Sequence, residues 1–154
     1  MLNCIPQSIF SWNFRVEGCP SGPAELTFNS MSEQGTISLA GVELQVSKHG
    51  WTSGHWTLER NGESYVDAQK PSVMFRSFDL TCGGEKFVVK ARSPFSRCFD
   101  ILSEGKVVGA IQPAHLFTRR ATINCSDNVP ELAQLFAFWL AVILWRRQSR
   151  SNNK

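Results

Sequence analysis

The sequence contains few histidines and no recognisable metal-binding or catalytic motif. Its three histidines, His49, His55 and His115, are far apart, and its cysteines form no Cys-x-x-Cys pair. Zinc sites need such residues at short, regular spacings, so we expect neither a metal nor a cofactor. The motifs Gly-x-Ser-x-Gly and Gly-x-Gly-x-x-Gly are also missing. The sequence therefore predicts a protein that is not an enzyme.

The first ten residues lack the features of a secretory signal. They contain no Lys or Arg and no long apolar run, whereas such a signal needs a basic start before an apolar stretch. The five cysteines are odd in number and scattered, which is typical of reduced, mostly buried thiols. We therefore expect a cytoplasmic protein. The cysteines are Cys4, Cys19, Cys82, Cys98 and Cys125.

Charge is distributed unevenly along the chain, although the net charge is only +3. Residues 1–69 carry three basic and seven acidic side chains, whereas residues 70–154 carry thirteen basic and six acidic ones. A basic half can form a surface for the phosphate groups of lipids or nucleic acids. The alternative interpretation is that Lys and Arg on strand faces simply keep the protein soluble.

Three successive β-hairpins are predicted between Gly54 and His115. Each begins with an aromatic, a polar and an aliphatic residue, and these starts are 22 and 21 residues apart. Each contains a glycine turn at the same offsets, and glycine supplies the positive φ angle of a two-residue hairpin turn. A solenoid of this period is disfavoured because a turn within each unit requires an antiparallel return. The strands start at Trp56, Phe78 and Phe99, and the turns are Asn61-Gly62, Gly83-Gly84 and Glu104-Gly105.

Shorter strands are predicted on both sides of these hairpins. Apolar residues at every second position indicate a half-buried strand from Ile9 to Val16. The segment from Gly50 to Gly54 is predicted to be a loop that carries Trp51. Further strands are predicted over Ala24 to Asn29, Thr36 to Ala40, Val42 to Lys48 and Phe117 to Asn124.

Near its end the chain contains one predicted helix without a polar face. Every residue from Leu135 to Trp145 is apolar, so this helix must be enclosed by protein or by lipid. A helix over residues 130–145 would be about 24 Å long, shorter than the roughly 30 Å apolar layer of a bilayer. Asn128 and Glu131 have the spacing of a capping box at its start. We interpret the segment as a core helix, with a membrane tail anchor as the alternative.

The predicted strands and the wholly apolar helix have few ways to pack together. A meander of hairpins needs something to fill its inner face, and the helix needs cover on all sides. Closing the sheet around the helix satisfies both needs and removes the exposed sheet edges. The sequence therefore predicts an all-β fold with a single helix, a closed antiparallel barrel of about 11–12 strands around a hydrophobic C-terminal helix.

This pattern resembles the tubby C-terminal-like superfamily, which includes the phospholipid scramblases and the plant LURP-one-related proteins. Two segments carry the resemblance: Phe99-Asp-Ile-Leu-Ser-Glu-Gly-Lys-Val-Val-Gly-Ala-Ile, and Leu135-Phe-Ala-Phe-Trp-Leu-Ala-Val-Ile-Leu-Trp145-Arg-Arg. The resemblance covers residues 10–147, and the chain resembles a compact, bacterial-type member of the superfamily. It implies a barrel around a central helix and a connection to membrane lipids or phosphoinositides, which some members have.

The domain organisation expected from this pattern is simple. A single tubby-like barrel domain spans residues 1–147, and its central helix covers about residues 129–147. The remaining residues, 148–154, are predicted to form a disordered basic tail.

Seven basic residues are candidates for binding anionic lipid headgroups. If Phe87, Val89 and Ala91 face inward, the basic residues next to them in the sequence face outward, and the same parity places Arg120 outside. The other arginines lie near strand ends. Their charge and their hydrogen bonds to phosphate would hold the headgroups. The candidates are Arg76, Lys86, Lys90, Arg92, Arg97, Arg119 and Arg120.

The sequence thus predicts a monomeric, non-catalytic module that binds an anionic phospholipid surface, cytoplasmic and peripheral to the membrane. One alternative is a structural or protein-interaction module without a lipid role, and another is a tail-anchored membrane protein. Nucleic acid is a less favoured partner, because the aromatic residues of the predicted strands share the inward face with aliphatic ones. Few rings would then be free to stack on bases.

Overall fold

A computed structural model describes residues 1–50, 52 and 54–154, so Trp51 and the prediction made for it lie outside the described residues. Twelve antiparallel strands form a closed barrel in which each strand pairs with its neighbours in the chain. The predicted fold class is confirmed. The strands are β1 (Leu2–Pro6), β2 (Phe14–Glu17), β3 (Ala24–Phe28), β4 (Gly35–Leu39), β5 (Val42–Lys48), β6 (His55–Arg60), β7 (Glu63–Gln69), β8 (Ser77–Cys82), β9 (Glu85–Ala91), β10 (Phe99–Ser103), β11 (Lys106–Pro113) and β12 (Ala121–Cys125), followed by helix α1 (Glu131–Asn152).

The first strand closes the barrel. β1 pairs with β2 on one side and with β12 on the other, so no open sheet edge is left between the two ends of the meander. No strand is predicted here from the sequence, because only Leu2 and Cys4 point into the core and two alternating residues are too few to show a period.

The predicted glycine turns are confirmed by their backbone angles. The six residues of the turns at 61–62, 83–84 and 104–105 have φ values between 51° and 83°. Ala40 and Gly41 form a fourth turn of the same kind, with φ values of 52° and 81°. Two consecutive positive φ angles give the turn a twist that matches the twist of the strands it joins.

Helix α1 fills the barrel, and the prediction of a core helix is confirmed. Every side chain from Leu135 to Ile143 is fully buried. The ring of Phe138 meets Phe14 edge-on with 4.9 Å between centroids, and Trp139 stacks on Phe28 at 3.7 Å. Among the described residues, no helix combines the length and the apolar character needed to cross a membrane.

The ends of α1 differ from their predicted positions. The helix begins at Glu131, with Pro130 as its N-cap, and no side chain caps it, so the predicted capping box of Asn128 and Glu131 is wrong. Glu131 instead accepts a hydrogen bond from the backbone N–H of Ser21, 3.1 Å away. At the other end, the helix continues to Asn152 rather than ending near residue 147. Residues 148–152 are therefore helical and not a disordered tail, and Arg150 contacts the carbonyl of Ser30 at 3.3 Å.

Two predicted strands begin later in the chain than expected. β2 starts at Phe14 instead of Ile9, and β12 starts at Ala121 instead of Phe117. The alternating residues before these starts belong to loops, and Phe10 and Phe117 are almost fully exposed. Period-two alternation alone does not distinguish a strand from a loop with an apolar tip.

The connections divide the barrel into two different ends. All the strands are sequential and antiparallel, so alternate connections lie at the same end. One end, called here the turn end, has the short connections and the start of α1. The other, the loop end, has the longer connections and the last residues of α1. The turn end consists of residues 18–23, 40–41, 61–62, 83–84, 104–105 and 126–130, and the loop end of residues 7–13, 29–34, the described residues between β5 and β6 (49, 50, 52 and 54), 70–76, 92–98, 114–120 and 146–154.

Candidate functional site

Basic residues are concentrated at the loop end. Its seven segments contain ten Lys or Arg residues and a single carboxylate side chain, Glu33. The segments of the turn end contain no Lys or Arg and two carboxylates, Glu104 and Asp127. The charge asymmetry along the sequence thus becomes an asymmetry between the two ends of the barrel.

Exposed apolar side chains share this end with the basic residues. Thirteen large apolar side chains are exposed in the described part of the chain, and nine of them lie in five loops of the loop end. Single exposed apolar residues are common on protein surfaces, but their concentration at one end indicates an interaction surface. These nine loop-tip residues are Ile9, Phe10, Met31, Val73, Met74, Phe75, Phe95, Leu116 and Phe117.

Hydroxyl side chains hold several of the loop tips in place. The backbone N–H of Phe10 donates to the hydroxyl of Ser8 at 3.0 Å, and that of Met74 donates to Ser72 at 3.1 Å. Such local hydrogen bonds form tight turns that project the following side chains outward. The exposed apolar residues are therefore presented by ordered turns.

Three of the predicted site residues, Arg76, Arg97 and Arg119, have equivalent positions and contacts. They are 21 and 22 residues apart, and each lies just before a strand. Each guanidinium donates hydrogen bonds to backbone carbonyls of the next loop around the barrel. The acceptors are Ser93, Pro94 and Ser96 for Arg76, Leu116 and Thr118 for Arg97, and Ser8 and Ser11 for Arg119.

These three arginines also lie against aromatic rings. The guanidinium carbon of Arg76 is 5.4 Å from the ring centroid of Phe99, and that of Arg119 is 4.9 Å from the ring of Trp12. Partial burial of all three side chains lowers the pKa of each guanidinium, which reflects the cost of moving a cation out of water. These residues position the loops and leave only part of each guanidinium for a ligand.

The end of α1 supplies further arginines that the sequence reasoning did not select. Arg146 is almost completely buried and donates to the carbonyls of Asn29 and Ser32 at 3.1 Å and 3.3 Å. Arg147 forms a two-point pair with Glu33, with both N–O distances at 2.6 Å. Their position directly after an apolar helix is the signal in the sequence that could have identified them.

The seven predicted basic residues do not form one continuous patch. Lys86, Lys90 and Arg92 point outward as predicted, while Phe87 and its inward neighbours are buried. Lys86 and Lys90 line a groove that also contains three carboxylates, so this wall carries mixed charge. Arg92 pairs with Asp100 at 2.9 Å. The three carboxylates of the groove are Asp67, Asp79 and Glu104.

Two smaller groups of predicted site residues do come together beside the loop tips. Arg76, Lys90 and Arg92 line a groove with Met74 and Phe75. A second groove contains Arg97 and Arg119 together with exposed residues of two loops and the end of the helix. Arg120 is exposed, as predicted. The sequence does not single out the apolar residues of either groove. Some of them lie in segments that are predicted to be strands, and the others lie in loops for which no function is predicted.

The residues of this surface do not form a metal site. Within the described ranges, no three His, Cys, Asp or Glu side chains come close enough to hold a metal ion.

Comparisons with protein-family models, with curated proteins and with solved structures find no match for this chain. The resemblance to the tubby C-terminal-like superfamily therefore stays a prediction.

Proposed function

We propose that the loop end binds the surface of an anionic phospholipid bilayer, and that the protein is a peripheral, non-catalytic module. One observation carries the proposal: nine exposed apolar side chains and ten basic residues share one end of the barrel. The tubby-like resemblance implies the same class of partner.

The apolar tips supply the part of the binding energy that does not depend on charge. Phe10, Phe75, Phe95 and Phe117 are between 69% and 97% exposed, and they come from four different loops. Burying four such side chains at about 1.5 kcal/mol each would contribute roughly 6 kcal/mol before entropic costs. That is enough for reversible binding with a dissociation constant of about 10–100 μM.

The basic residues supply attraction to the headgroup layer. Arg120, Arg150 and Lys154 are exposed at the loop end. A Lys or Arg near an anionic leaflet contributes about 1 kcal/mol, and this contribution decreases when salt screens it. The turn end, without basic residues in its connections, would face away from the membrane.

A bilayer fits this surface better than a protein partner does. The core of a protein interface is usually contiguous and depleted of charge. Here the apolar side chains stand on separate loops, between hydroxyl residues and arginines, which suits a layer that offers apolar depth and anionic headgroups together. A protein-interaction module and a second copy of this chain are outcomes that the experiment can detect.

Sedimentation with lipid vesicles tests the proposal. The wild type should bind vesicles of equal parts phosphatidylcholine and phosphatidylserine, and bind pure phosphatidylcholine far less. The double variant Phe10→Ser/Phe117→Ser should bind the anionic vesicles roughly a hundredfold more weakly, because two apolar insertions are lost. Val107→Ser is the matched control, since Val107 is exposed but lies beside the turn end.

Other results would point to other partners. Unchanged binding by the double variant would contradict the proposed surface. Self-association that the double variant abolishes, without vesicle binding by the wild type, would favour a second copy as the partner. Binding to RNA with a steep salt dependence, without vesicle binding, would instead favour nucleic acid.

A further inference from the structure

A small cavity opens at the loop end, between two loops and the last turns of α1. It has a volume of about 350 Å³, and its lining includes Lys48, Trp56, Lys70 and Arg147. Three of these side chains are cationic, and no carboxylate belongs to the lining. None of the four belongs to the basic set predicted from the sequence.

The positive charge around this cavity is only partly compensated. Glu33 lies behind the lining and accepts hydrogen bonds from Lys48 at 2.9 Å and from Arg147 at 2.6 Å. One carboxylate thus serves two cations. The ammonium of Lys70 donates to the carbonyl oxygen of Ser72 and has no carboxylate partner in the described residues. The cavity therefore keeps about two positive charges.

Lys70 registers this excess of positive charge. Burial lowers its pKa, and the nearby guanidinium groups of Arg147 and Arg76 lower it further. The charged form of Lys70 is therefore less favourable in the folded protein than in water. An anion bound in the cavity would raise the pKa of Lys70 again.

Trp56 adds an aromatic ring to the same lining. Its side chain is fully buried, and its Nε1–H has no partner among the described residues. The ammonium of Lys48 lies 5.4 Å from its ring centroid and the guanidinium carbon of Arg147 lies 5.8 Å from it. Both distances are within the range of cation–π contacts, which hold the two cations against the ring at the cavity.

We propose that this cavity binds a phosphate group, carried either by a lipid headgroup or by a soluble phosphate monoester. A phosphate monoester carries nearly two negative charges at neutral pH and several acceptor oxygens, which match the two uncompensated positive charges and the N–H donors of the lysine and arginine side chains in the lining. The lipid source rests on the proposed membrane function, whereas the soluble source does not.

Calorimetric titration of the full chain with inorganic phosphate tests the site directly. Lys70→Gln should weaken phosphate binding about tenfold, as expected for the loss of one charge-assisted hydrogen bond. Lys106→Gln removes an exposed lysine at the start of β11, beside the turn end, and should bind phosphate like the wild type. Phosphate should also raise the pKa of Lys70, followed by NMR of its side chain, and a purely structural lysine would not respond in this way.

Vesicles then distinguish the two sources of phosphate. If the source is a lipid, Lys70→Gln should bind vesicles of equal parts phosphatidylcholine and phosphatidate more weakly than the wild type does. If the source is soluble, vesicle binding should stay unchanged while phosphate titration still shows the loss. The proposal is overturned if the wild type does not bind phosphate, or if Lys70→Gln binds it equally well. Failure of the membrane proposal is seen separately, as undiminished vesicle binding by Phe10→Ser/Phe117→Ser.

Discussion

The guanidinium of Arg97 lies over the indole ring of Trp145, with 4.8 Å between the guanidinium carbon and the ring centroid. The same guanidinium donates to the carbonyls of Leu116 and Thr118 at 3.2 Å and 2.7 Å. One side chain therefore joins two loops of the loop end to the helix inside the barrel. Arg76 and Arg119 join their neighbouring loops in the same way, so the loop tips are supported by a series of arginines.

Replacing Arg97 should destabilise the whole barrel. Arg97→Gln removes the stacking on Trp145 and leaves two carbonyls without their donor, which should lower the free energy of unfolding by about 1–3 kcal/mol. Urea unfolding monitored by circular dichroism measures the change. Arg120→Gln is the matched control, because Arg120 is exposed, and its effect should stay within about 0.5 kcal/mol. Equal losses in the two variants would contradict a supporting role for Arg97.

The fold could be predicted because its main determinants are local or compositional. Glycines at regular offsets define the hairpins, and an apolar helix without a polar face must be enclosed on all sides by protein or lipid. The end of the helix could not be predicted in this way. Residues 148–152 are polar and remain helical through tertiary contacts, such as the one between Arg150 and Ser30.

The candidate site was predicted only in part, for a physical reason. Parity along a strand gives the direction of side chains such as Lys90, but it gives no information about which loops meet at one end. Grouping Phe10, Phe95 and Phe117 requires knowing that their loops are alternate connections of one barrel. The repeated pattern of apolar residues between hydroxyl residues, as in Ser8-Ile-Phe-Ser11, is a local signal that could have identified the tips.

Adding a single methyl group at Gly35 should strain the contact between the barrel wall and the helix. A Cβ atom there would overlap the backbone carbonyl oxygen of Thr27 on the neighbouring strand and would lie 2.6 Å from Trp139, whose ring is also stacked on Phe28. Gly35→Ala should therefore cost about 1–3 kcal/mol in the free energy of unfolding, as overpacked cores do.

The control for this variant is Gly41→Asn. A Cβ at Gly41 meets no atom within 4 Å, and asparagine tolerates the positive φ of 81° found there. Its midpoint of urea unfolding should stay close to that of the wild type. A Gly35→Ala variant as stable as Gly41→Asn would show that the neighbouring strand and the helix can both shift to make room for the methyl group.

The apolar tips should contribute to binding and not to stability. Phe10 and Phe117 are 92% and 97% exposed, so Phe10→Ser/Phe117→Ser should change the free energy of unfolding by no more than about 0.5 kcal/mol per site. Thermal and urea unfolding check this expectation. A large loss of stability would mean that these rings pack in the folded protein, and weaker vesicle binding by the variant would then not identify the surface.

Stability in acid should depend on Glu33. Burial alone would raise its pKa, but the hydrogen bonds from Arg147 and Lys48 outweigh burial and lower the pKa below its ordinary value. A carboxyl group whose pKa is lower in the folded than in the unfolded protein stabilises the fold above the unfolded pKa of about 4.3. That contribution is lost as the pH falls through the lower, folded pKa.

Urea unfolding of Glu33→Gln at two pH values tests this dependence. At pH values near neutrality the variant should be less stable than the wild type by about 1 kcal/mol, between the values typical of exposed and buried charged pairs. The difference should disappear at a pH below the folded pKa, where the wild-type carboxyl group is protonated. Glu17→Gln is the control, because the pair of Glu17 with Arg15 is about half exposed on both sides. Glu17→Gln should have only a small effect near neutral pH, and an equally small effect at Glu33 would mean that the Lys48–Glu33–Arg147 cluster does not stabilise the loop end.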